Sequence, residues 1–238
     1  MNIAVIFAGG VGVRMRSNGV PKQFLKVYDK PIIIHTLEKF QFNENIDAIV
    51  IACLESHIEY TWQLCKAYSI DKVKKIVPGG ASGQESIYHG LLAAKEVSGS
   101  DDDVVLIHDG VRPVIDNEII NENINCVKAN GSAITCALCT ETVAMVDESG
   151  AIVTTTDRSC SRRACAPQSF FIKDILSAHE KARAEGKDGV IDSCTMMTMY
   201  GHKLHSVTCG RENIKITTPE DLFLFKAILE YQQSALAF

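Results

Sequence analysis

A glycine-rich segment with cationic side chains follows the first apolar run of the chain. It reads "FAGGVGVRMRSNGVPKQFL", and glycines let a backbone turn sharply and approach a ligand closely. Backbone amides beside a guanidinium and an ammonium form a favourable seat for an anion, especially a phosphate group. A flexible loop with solvated charges is the alternative, and the position of these residues at a strand end disfavours it. The residues concerned are Gly9, Gly10, Gly12, Arg14 and Lys22.

Three further segments place polar side chains at the ends of predicted strands or within them. They read "PGGASGQES", "HDGVRP" and "ENIKITTPED". In open α/β sheets ligands bind beyond the carboxyl ends of the strands, so we expect these groups to meet the glycine-rich segment at one edge. Each segment alone is compatible with an ordinary turn, whereas their convergence indicates a ligand site. The residues concerned are Gly79, Gly80, Ser86, Asp109, Arg112 and Lys215.

A nucleoside triphosphate with a metal ion is the ligand that best matches these groups, because the cations can contact the phosphates and Asp109 the metal. Two familiar phosphate-binding motifs do not fit the sequence. A Walker A loop requires G-x-x-x-x-G-K-[ST], which does not occur. The dinucleotide fingerprint G-x-G-x-x-G also fails, because Met15 occupies the place of its last glycine.

The elements that must position these residues alternate between strand and helix through the first part of the chain. This alternation predicts an α/β fold in which a mostly parallel sheet is covered by helices on both faces. Ser56 is a candidate cap for the second helix. The predicted strands are 2–7, 46–52, 73–77, 104–108 and 133–138, and the predicted helices are 31–40, 56–68, one that ends at about 95, and 117–129.

The alternation stops after Thr140. The run "TVAMVDESGAIVTTTDR" has period two around a turn that contains glycine, which predicts a β-hairpin arm that projects from the core. We then expect helices at 172–184 and 193–200, strands at 203–207 and 214–217, and a closing helix that starts at Pro219 after a Thr218 cap. The simplest organisation is one domain over residues 1–238 with a β-arm at about 140–160.

Composition disfavours several function classes. The 238 residues carry a formal net charge of −5, and nucleic-acid binders usually present a basic face. No apolar run approaches the roughly 20 residues that span a bilayer, and the N-terminus does not resemble a signal peptide. We therefore expect no nucleic-acid or membrane partner, and nine reduced cysteines in a cytoplasmic protein. Cys136 and Cys139 have CxxC spacing without a second pair, so we interpret them as ordinary strand residues.

Five separated motifs, taken in order, resemble the cytidylyltransferases that attach CMP to a polyol phosphate. They are "AGGVGVRM", "PKQFL", "HDGVRP", "APQSF" and "NIKITTPEDL", and the resemblance runs from residue 2 to about residue 230. Two members are similar to the chain: one makes CDP-methylerythritol for isoprenoid synthesis, and the other makes CDP-ribitol for cell-wall or capsule polymers. The resemblance implies a Rossmann-like nucleotidyltransferase fold of the GT-A-like type, a three-layer α/β sandwich. It also implies a Mg²⁺ cofactor and a homodimer in which each arm reaches the neighbouring active site.

The resemblance also implies roles for individual residues. CTP would be held by Ala8, Gly9, Gly10, Gly12, Gly79, Gly80, Ser86 and Asp109. Charge on the reacting phosphates would be stabilised by Arg14, Lys22 and Lys215. Asp109 would also face the metal, with Glu212 as a second acidic candidate. The acceptor would be contacted by Arg112 and Asp192, and by Thr142 and Arg158 on the arm of the other subunit.

Two departures from the family pattern fall on the acceptor side. Ala166 stands where the family usually has threonine, which removes a hydroxyl expected at the acceptor phosphate. "VIDSCTMM" keeps Asp192 alone of the Thr-Asp-Glu that the methylerythritol enzymes tend to have. This segment, with "PKQFL" and "KPIIIHTLEKF", is more similar to the ribitol branch. We therefore predict transfer of CMP from CTP to D-ribitol 5-phosphate, with 2-C-methyl-D-erythritol 4-phosphate as the alternative acceptor.

Two hypotheses from other classes stay open at this point. A non-catalytic nucleotide-binding subunit would keep the fold without turnover; Ala166 favours it, whereas the cations and the carboxylate of the predicted site oppose it. A sugar-1-phosphate nucleotidyltransferase would use another base. Comparison of CTP with UTP and GTP would discriminate this last hypothesis from the others.

Overall fold

The computed structural model describes residues 1–10, 15 and 19–235. Its strands are β1 (Asn2–Ala8), β2 (Lys26–Val27), β3 (Lys30–Pro31), β4 (Ala48–Cys53), β5 (Val73–Pro78), β6 (Val104–Asp109), β7 (Ser132–Leu138), β8 (Ala144–Val146), β9 (Ile152–Thr155), β10 (Arg162–Phe171) and β11 (Ser206–Cys209). Its α-helices are α1 (Ile32–Gln41), α2 (Ile58–Ala67), α3 (Gly83–Val97), α4 (Asn117–Asn130), α5 (Ile172–Ala184), α6 (Ser193–Met199) and α7 (Pro219–Ala235). Gly12 and Arg14 of the predicted site lie outside the described residues.

Seven strands form the central sheet, in the order β11-β7-β10-β6-β1-β4-β5. β1 pairs in parallel with β4 and β6, β4 pairs in parallel with β5, and β7 pairs in parallel with β11. β10 runs antiparallel between β6 and β7. The predicted mostly parallel α/β sheet is thus confirmed, and β1 lies near its middle with its carboxyl end at the glycine-rich segment.

Alternate residues of β1 face two hydrophobic cores on opposite sides of the sheet. Ala4 and Ile6 pack in one core with apolar residues of α1, α2 and α4. Ile3 and Val5 pack in the other core with residues of α3, α5 and α6. Strands that are buried on both faces need continuous apolar sequence, which explains why β1, β4 and β6 were recognisable as apolar runs.

Several helix starts are fixed by side chains that accept hydrogen bonds from the first turn. Ser82 caps α3, Asp116 caps α4 and Asp192 caps α6, each through a backbone N–H three residues further on. α7 begins at Pro219 as predicted. The carboxylate of Asp221 in its first turn accepts the N–H of Thr218, the residue before the helix, at 2.8 Å. The caps of α3 and α6 matter for function, because both helices start at the clefts described below.

Three local predictions were wrong. Ser56 does not cap α2: a 3-10 turn at Glu55–His57 precedes the helix, and the Ser56 hydroxyl bonds to the His57 ring instead. The range 214–217 is not a strand but an extended segment, held by a bond from the Ile216 N–H to the Val111 carbonyl at 2.9 Å. The strand expected at 203–207 begins three residues later, as β11.

The predicted hairpin is confirmed as β8 and β9, which form a two-stranded antiparallel sheet apart from the central one. All residues of these two strands are exposed. Among the helices in the described ranges, none is both long enough and apolar enough to cross a membrane.

Candidate active site at the carboxyl edge of the sheet

The ends of β1 and β5 approach each other closely at Gly9 and Gly79. A Cβ atom on either glycine would lie 2.9 Å from the hydroxyl oxygen of Ser86, which is shorter than a side chain tolerates. That hydroxyl accepts the Gly80 N–H at 3.0 Å and donates to the Ser82 carbonyl at 2.9 Å. Glycine is therefore required here by close approach, and Ser86 fixes the loop between β5 and α3.

Asp109, the last residue of β6, lies between two cations. Its Oδ1 is 2.5 Å from the Lys215 ammonium, and its Oδ2 is 2.7 Å from Nε of Arg112. Burial by itself raises the pKa of this carboxyl, but the charges of Lys215 and Arg112 outweigh it and hold the pKa below its ordinary value. Asp109 is therefore a buried carboxylate anion at neutral pH, and it fixes the positions of both cations.

Individual hydrogen bonds from side chains to backbone carbonyls anchor the segment that carries Lys215. Arg112 donates to the Asn213 carbonyl at 2.9 Å, and the Asn213 amide donates to the Ala166 carbonyl at 2.8 Å. The ammonium of Lys22 donates to the Ile216 carbonyl at 3.2 Å. These bonds bring Lys22 and Lys215 to the same edge of the sheet from opposite ends of the chain.

A first cleft, with a volume of about 480 Å³, lies over the glycine-rich edge. It brings together most of the residues predicted to hold a nucleotide. Gln23 supports the wall of this cleft, because the buried amide of Gln23 donates to the Ala8 carbonyl at 2.7 Å. The predicted residues that line this cleft are Ala8, Gly9, Gly10, Lys22, Gly80, Ser86, Asp109 and Lys215; Gly79 lies directly beneath, against Gly9.

A second cleft of about 270 Å³ adjoins the first. Four residues line both clefts: Phe7, Gly83, Asp109 and Lys215. Arg112 and Asp192 line the second cleft, as does Ala166 at the position where the family usually has threonine. Two ligands placed in the two clefts would therefore meet at the Asp109–Lys215 ion pair.

Asp192 has a structural role in addition to any contact with a ligand. Its Oδ1 caps α6 by accepting the Thr195 N–H at 2.8 Å and also accepts the Thr195 hydroxyl at 2.7 Å. Its Oδ2 accepts the Gln168 amide at 3.0 Å. Gln168 is held in turn by the Cys194 N–H, which its Oε1 accepts at 2.8 Å. A carboxylate has about four lone-pair sites, and the hydrogen bonds from Thr195 and Gln168 use three of them, so Asp192 retains capacity for one ligand hydroxyl.

Three predicted residues are not brought into either cleft within this chain. Thr142 is exposed on the arm. Arg158 lines a separate hollow with Arg162 and donates to the Thr140 carbonyl at 3.2 Å. Glu212 is exposed and is not among the residues that line the two clefts, and its approach to a metal stays a prediction.

Sequence reasoning missed four polar residues of the clefts, namely Gln23, Gln84, Gln168 and Ser193. Gln23 and Gln168 lay inside quoted motifs, "PKQFL" and "APQSF", which was an available signal. Gln84 and Ser193 stand in the first turns of α3 and α6. Polar residues are common at that position in any helix, so their types alone indicated nothing.

His108, beside Asp109 in β6, is a structural residue. Burial lowers its pKa to about 4, so the ring is neutral at pH 7. Its Nε2 lies 3.1 Å from the Arg112 carbonyl, which makes Nε2–H the donor. A neutral imidazole therefore fixes the backbone of the turn that carries Arg112.

The carboxylate of Asp109 fits a Mg²⁺ site in which the protein supplies one carboxylate, and water and substrate phosphates supply the other ligands. The described residues contain no group of three or more His, Cys, Asp or Glu side chains arranged to hold a metal. Mg²⁺ commonly keeps several waters and takes one or two carboxylates together with substrate phosphates. Each oxygen of Asp109 accepts from one cation and has a further lone pair, so one carboxylate is available for such an ion.

Comparison with known proteins places this arrangement among enzymes. The family model for 2-C-methyl-D-erythritol 4-phosphate cytidylyltransferase (IspD) matches residues 2–231. Ribitol-5-phosphate cytidylyltransferase of Vibrio parahaemolyticus is 52% identical over 100% of both chains. 2-C-methyl-D-erythritol 4-phosphate cytidylyltransferase of Clostridium botulinum is 41% identical over 96% of this chain and 97% of its own. The crystal structure of 4-diphosphocytidyl-2C-methyl-D-erythritol synthase from Anaerococcus prevotii superposes with a TM-score of 0.83 at 26% identity, and 96% of each chain is covered.

Proposed function

Because the chain belongs to the 2-C-methyl-D-erythritol 4-phosphate cytidylyltransferase (IspD) family, we propose that it transfers CMP from CTP to a polyol phosphate. The acceptor is D-ribitol 5-phosphate, and the products are CDP-ribitol and pyrophosphate. The observation that carries the choice of acceptor is 52% identity, over the whole length of both chains, to a ribitol-5-phosphate cytidylyltransferase. The methylerythritol relative is less similar, at 41%.

The two adjoining clefts support a reaction between two bound substrates. CTP occupies the first cleft, with its triphosphate along the glycine-rich edge, and the polyol phosphate occupies the second. A phosphate oxygen of the acceptor attacks the α-phosphorus of CTP. The bond from that phosphorus to the oxygen bridging to the β-phosphate breaks, and pyrophosphate leaves. Alignment of the two substrates at Asp109 and Lys215 lowers the entropic part of the barrier.

Cationic side chains supply the electrostatic part of catalysis. The nucleophile is already an anion, so no strong general base is needed, and repulsion between phosphates is the main obstacle. Lys215 lies where the two clefts meet, and Lys22 lies in the first. Together with Arg14, they stabilise charge on the transferring and leaving phosphates. A Mg²⁺ ion held in part by Asp109 would add positive charge at the triphosphate.

The second cleft provides separate contacts for the phosphate and for the polyol. Arg112 and Lys215 are fixed by Asp109 and hold the acceptor phosphate. Asp192 accepts a hydroxyl of the chain. Ala166 has no hydroxyl group to offer in the wall of this cleft, so the acceptor phosphate is bound by the two cations, Arg112 and Lys215.

The arm completes the site of a second subunit. The enzyme is a homodimer in which Thr142 and Arg158 contact the acceptor bound by the neighbouring chain. The support for this proposal is that both residues lie on the exposed β8–β9 arm or beside it, away from the clefts of their own chain. The organisation as one domain with this arm, and the cytoplasmic location, stay predictions.

Incubation of the purified protein with CTP, Mg²⁺ and D-ribitol 5-phosphate tests the proposal. We expect release of one pyrophosphate per CDP-ribitol, identified by mass spectrometry, with UTP and GTP as poor substitutes for CTP. CTP binding without pyrophosphate release from any polyol phosphate would favour a non-catalytic subunit. Preference for UTP or GTP would favour a sugar-1-phosphate nucleotidyltransferase.

A further inference from the structure

Two buried polar side chains that line the second cleft each carry one unsatisfied atom. Oε1 of Gln84 and Oγ of Ser193 have no hydrogen-bond partner among the described residues. The side chains are 4% and 1% exposed, respectively. Buried polar atoms are paired in the great majority of folded proteins, and an unpaired one costs free energy. Two such side chains in the wall of one cleft are therefore candidates for hydrogen bonds to a ligand bound there.

Both residues are held firmly by the helix starts that carry them. Gln84 is the second residue of α3, whose first turn is capped by the Ser82 hydroxyl. Ser193 is the first residue of α6, whose first turn is capped by Asp192. Both caps fix the backbone from which these side chains extend, so the two side chains start from fixed positions beside the cleft.

The other polar residues of this cleft already have partners. Arg112 and Lys215 pair with Asp109. The amide of Gln168 donates to Asp192 and accepts the Cys194 N–H, so both of its ends are used within the protein. Gln84 and Ser193 differ from this set, because Oε1 of Gln84 and Oγ of Ser193 have no hydrogen-bond partner at all among the described residues.

The chemistry of the cleft matches a phosphate monoester that carries neutral hydroxyls. The cations suit the phosphate, whereas a carboxamide oxygen accepts one hydrogen bond from a hydroxyl, and a serine hydroxyl can accept or donate. Apolar side chains, including Ile87 and Ile107, form the rest of the wall. Such a wall suits the carbon chain of a linear polyol.

We propose that Gln84 and Ser193 determine the acceptor specificity of the enzyme by hydrogen bonding to hydroxyl groups along the polyol chain. This inference rests on the proposed function and goes beyond it, because it assigns recognition of the chain to residues separate from those that bind the phosphate. A site that bonds to substrate hydroxyls rejects an analogue that lacks them, since its own buried groups then stay unpaired.

The test compares Gln84→Leu and Ser193→Ala with the wild-type enzyme. The KM for D-ribitol 5-phosphate, the KM for CTP and the inhibition constant of glycerol 3-phosphate are measured for each. Glycerol 3-phosphate has the same phosphate monoester on a shorter chain with fewer hydroxyls. Thr198→Ala on α6 and Glu96→Ala on α3 serve as matched controls, because both positions are exposed and outside the clefts.

We expect each cleft variant to raise the KM for D-ribitol 5-phosphate at least tenfold. The KM for CTP and the inhibition constant of glycerol 3-phosphate should stay within about threefold of wild type, and the controls should change none of the three values. Should Gln84→Leu not fold, Gln84→Asn takes its place, since it keeps the carboxamide and withdraws it by one methylene.

If Gln84→Leu and Ser193→Ala are both active and both leave the KM for D-ribitol 5-phosphate unchanged, the inference is overturned. Equal increases in all three constants would also overturn it, because they would indicate a general disturbance of the site. Failure of the proposed function is separately visible: the wild-type enzyme would then form no CDP-ribitol before any variant is compared.

Discussion

In the proposed reaction, the carboxylate of Asp109 connects the two bound substrates. One buried carboxylate fixes Lys215 on one oxygen and Arg112 on the other. The two cations would otherwise repel each other and occupy several rotamers. Holding them in place before substrate arrives is the electrostatic preorganisation that phosphoryl transfer needs, because little reorganisation is then required as charge develops.

Lys215→Ala should lower kcat by roughly 10²–10³, the usual effect of removing one contact that is made in the transition state. Steady-state assay with CTP and D-ribitol 5-phosphate measures the change. Lys66→Ala, at an exposed position on α2, is the control and should keep full activity. A Lys215→Ala enzyme with near-normal kcat would show that Lys215 serves only to neutralise Asp109.

Where a motif or a strand end marked a residue, the sequence predicted its place at the two clefts. Asp109 and Lys215 were found in this way, and the structure brings them within 2.5 Å. Ser193 was not predicted, since a serine at the start of a helix is ordinary and the sequence does not reveal an unpaired atom. The second use of Asp192, as the cap of α6, was hidden for the same reason.

Among the secondary-structure elements, β10 is a strand that the alternation of predicted strands and helices did not include. Its sequence "RRACAPQSFF" contains a proline and includes a shift of register between Ala164 and Gln168, so it lacks the continuous apolar run of the parallel strands. It is nevertheless central to the second cleft, because it contributes Ala166 and Gln168 to the lining. Strand order also depends on pairing between distant segments, which local sequence does not encode.

The packing of α5 against α3 predicts a pH dependence of stability. His179 of α5 stacks on Tyr88 of α3 with ring centroids 5.6 Å apart, and its Nε2 has no partner in the described residues. Burial, together with a smaller effect of the Arg183 charge, lowers its pKa from 6.5 to about 4. The unfolded chain therefore binds a proton at higher pH than the folded one, so the stability present above pH 6.5 is lost as the pH falls towards 4.

His179→Phe should remove this contribution. Between pH 7 and pH 4, the free energy of unfolding should fall less in the variant than in wild type, by on the order of 3 kcal/mol. Urea unfolding at a series of pH values measures the difference. His202→Phe, at an exposed position, is the control and should follow the wild-type curve. Coincident curves for His179→Phe and wild type would contradict the prediction.

The exposed arm predicts a site shared between subunits. A Lys22→Ala chain mixed with an Arg158→Ala chain should regain activity, because one site of the heterodimer then has both residues intact. A mixture of Lys22→Ala with Lys215→Ala is the control: both residues lie in the body of one chain, so each site stays defective. Verified heterodimers of the first kind without recovery would mean that Arg158 acts at its own chain's site.

At the scale of the whole molecule, function follows from topology. Parallel strands bring the ends of β1, β5 and β6 to one edge of the sheet, where glycines and charges from distant parts of the sequence meet. The sheet and its two helical layers were predictable, because parallel strands buried on both faces leave a strong apolar signal. The division of that edge into two clefts was not predictable, since it depends on the placement of β10 and α6.

The identity of the acceptor is measured by the ratio of kcat/KM for D-ribitol 5-phosphate to kcat/KM for 2-C-methyl-D-erythritol 4-phosphate, both with CTP. Unpaired polar groups in the second cleft should penalise an acceptor whose hydroxyls do not match them. We expect the ratio to favour D-ribitol 5-phosphate by at least a hundredfold. A ratio that favours 2-C-methyl-D-erythritol 4-phosphate by tenfold or more would contradict the assignment of D-ribitol 5-phosphate as the acceptor and would assign the enzyme to isoprenoid synthesis.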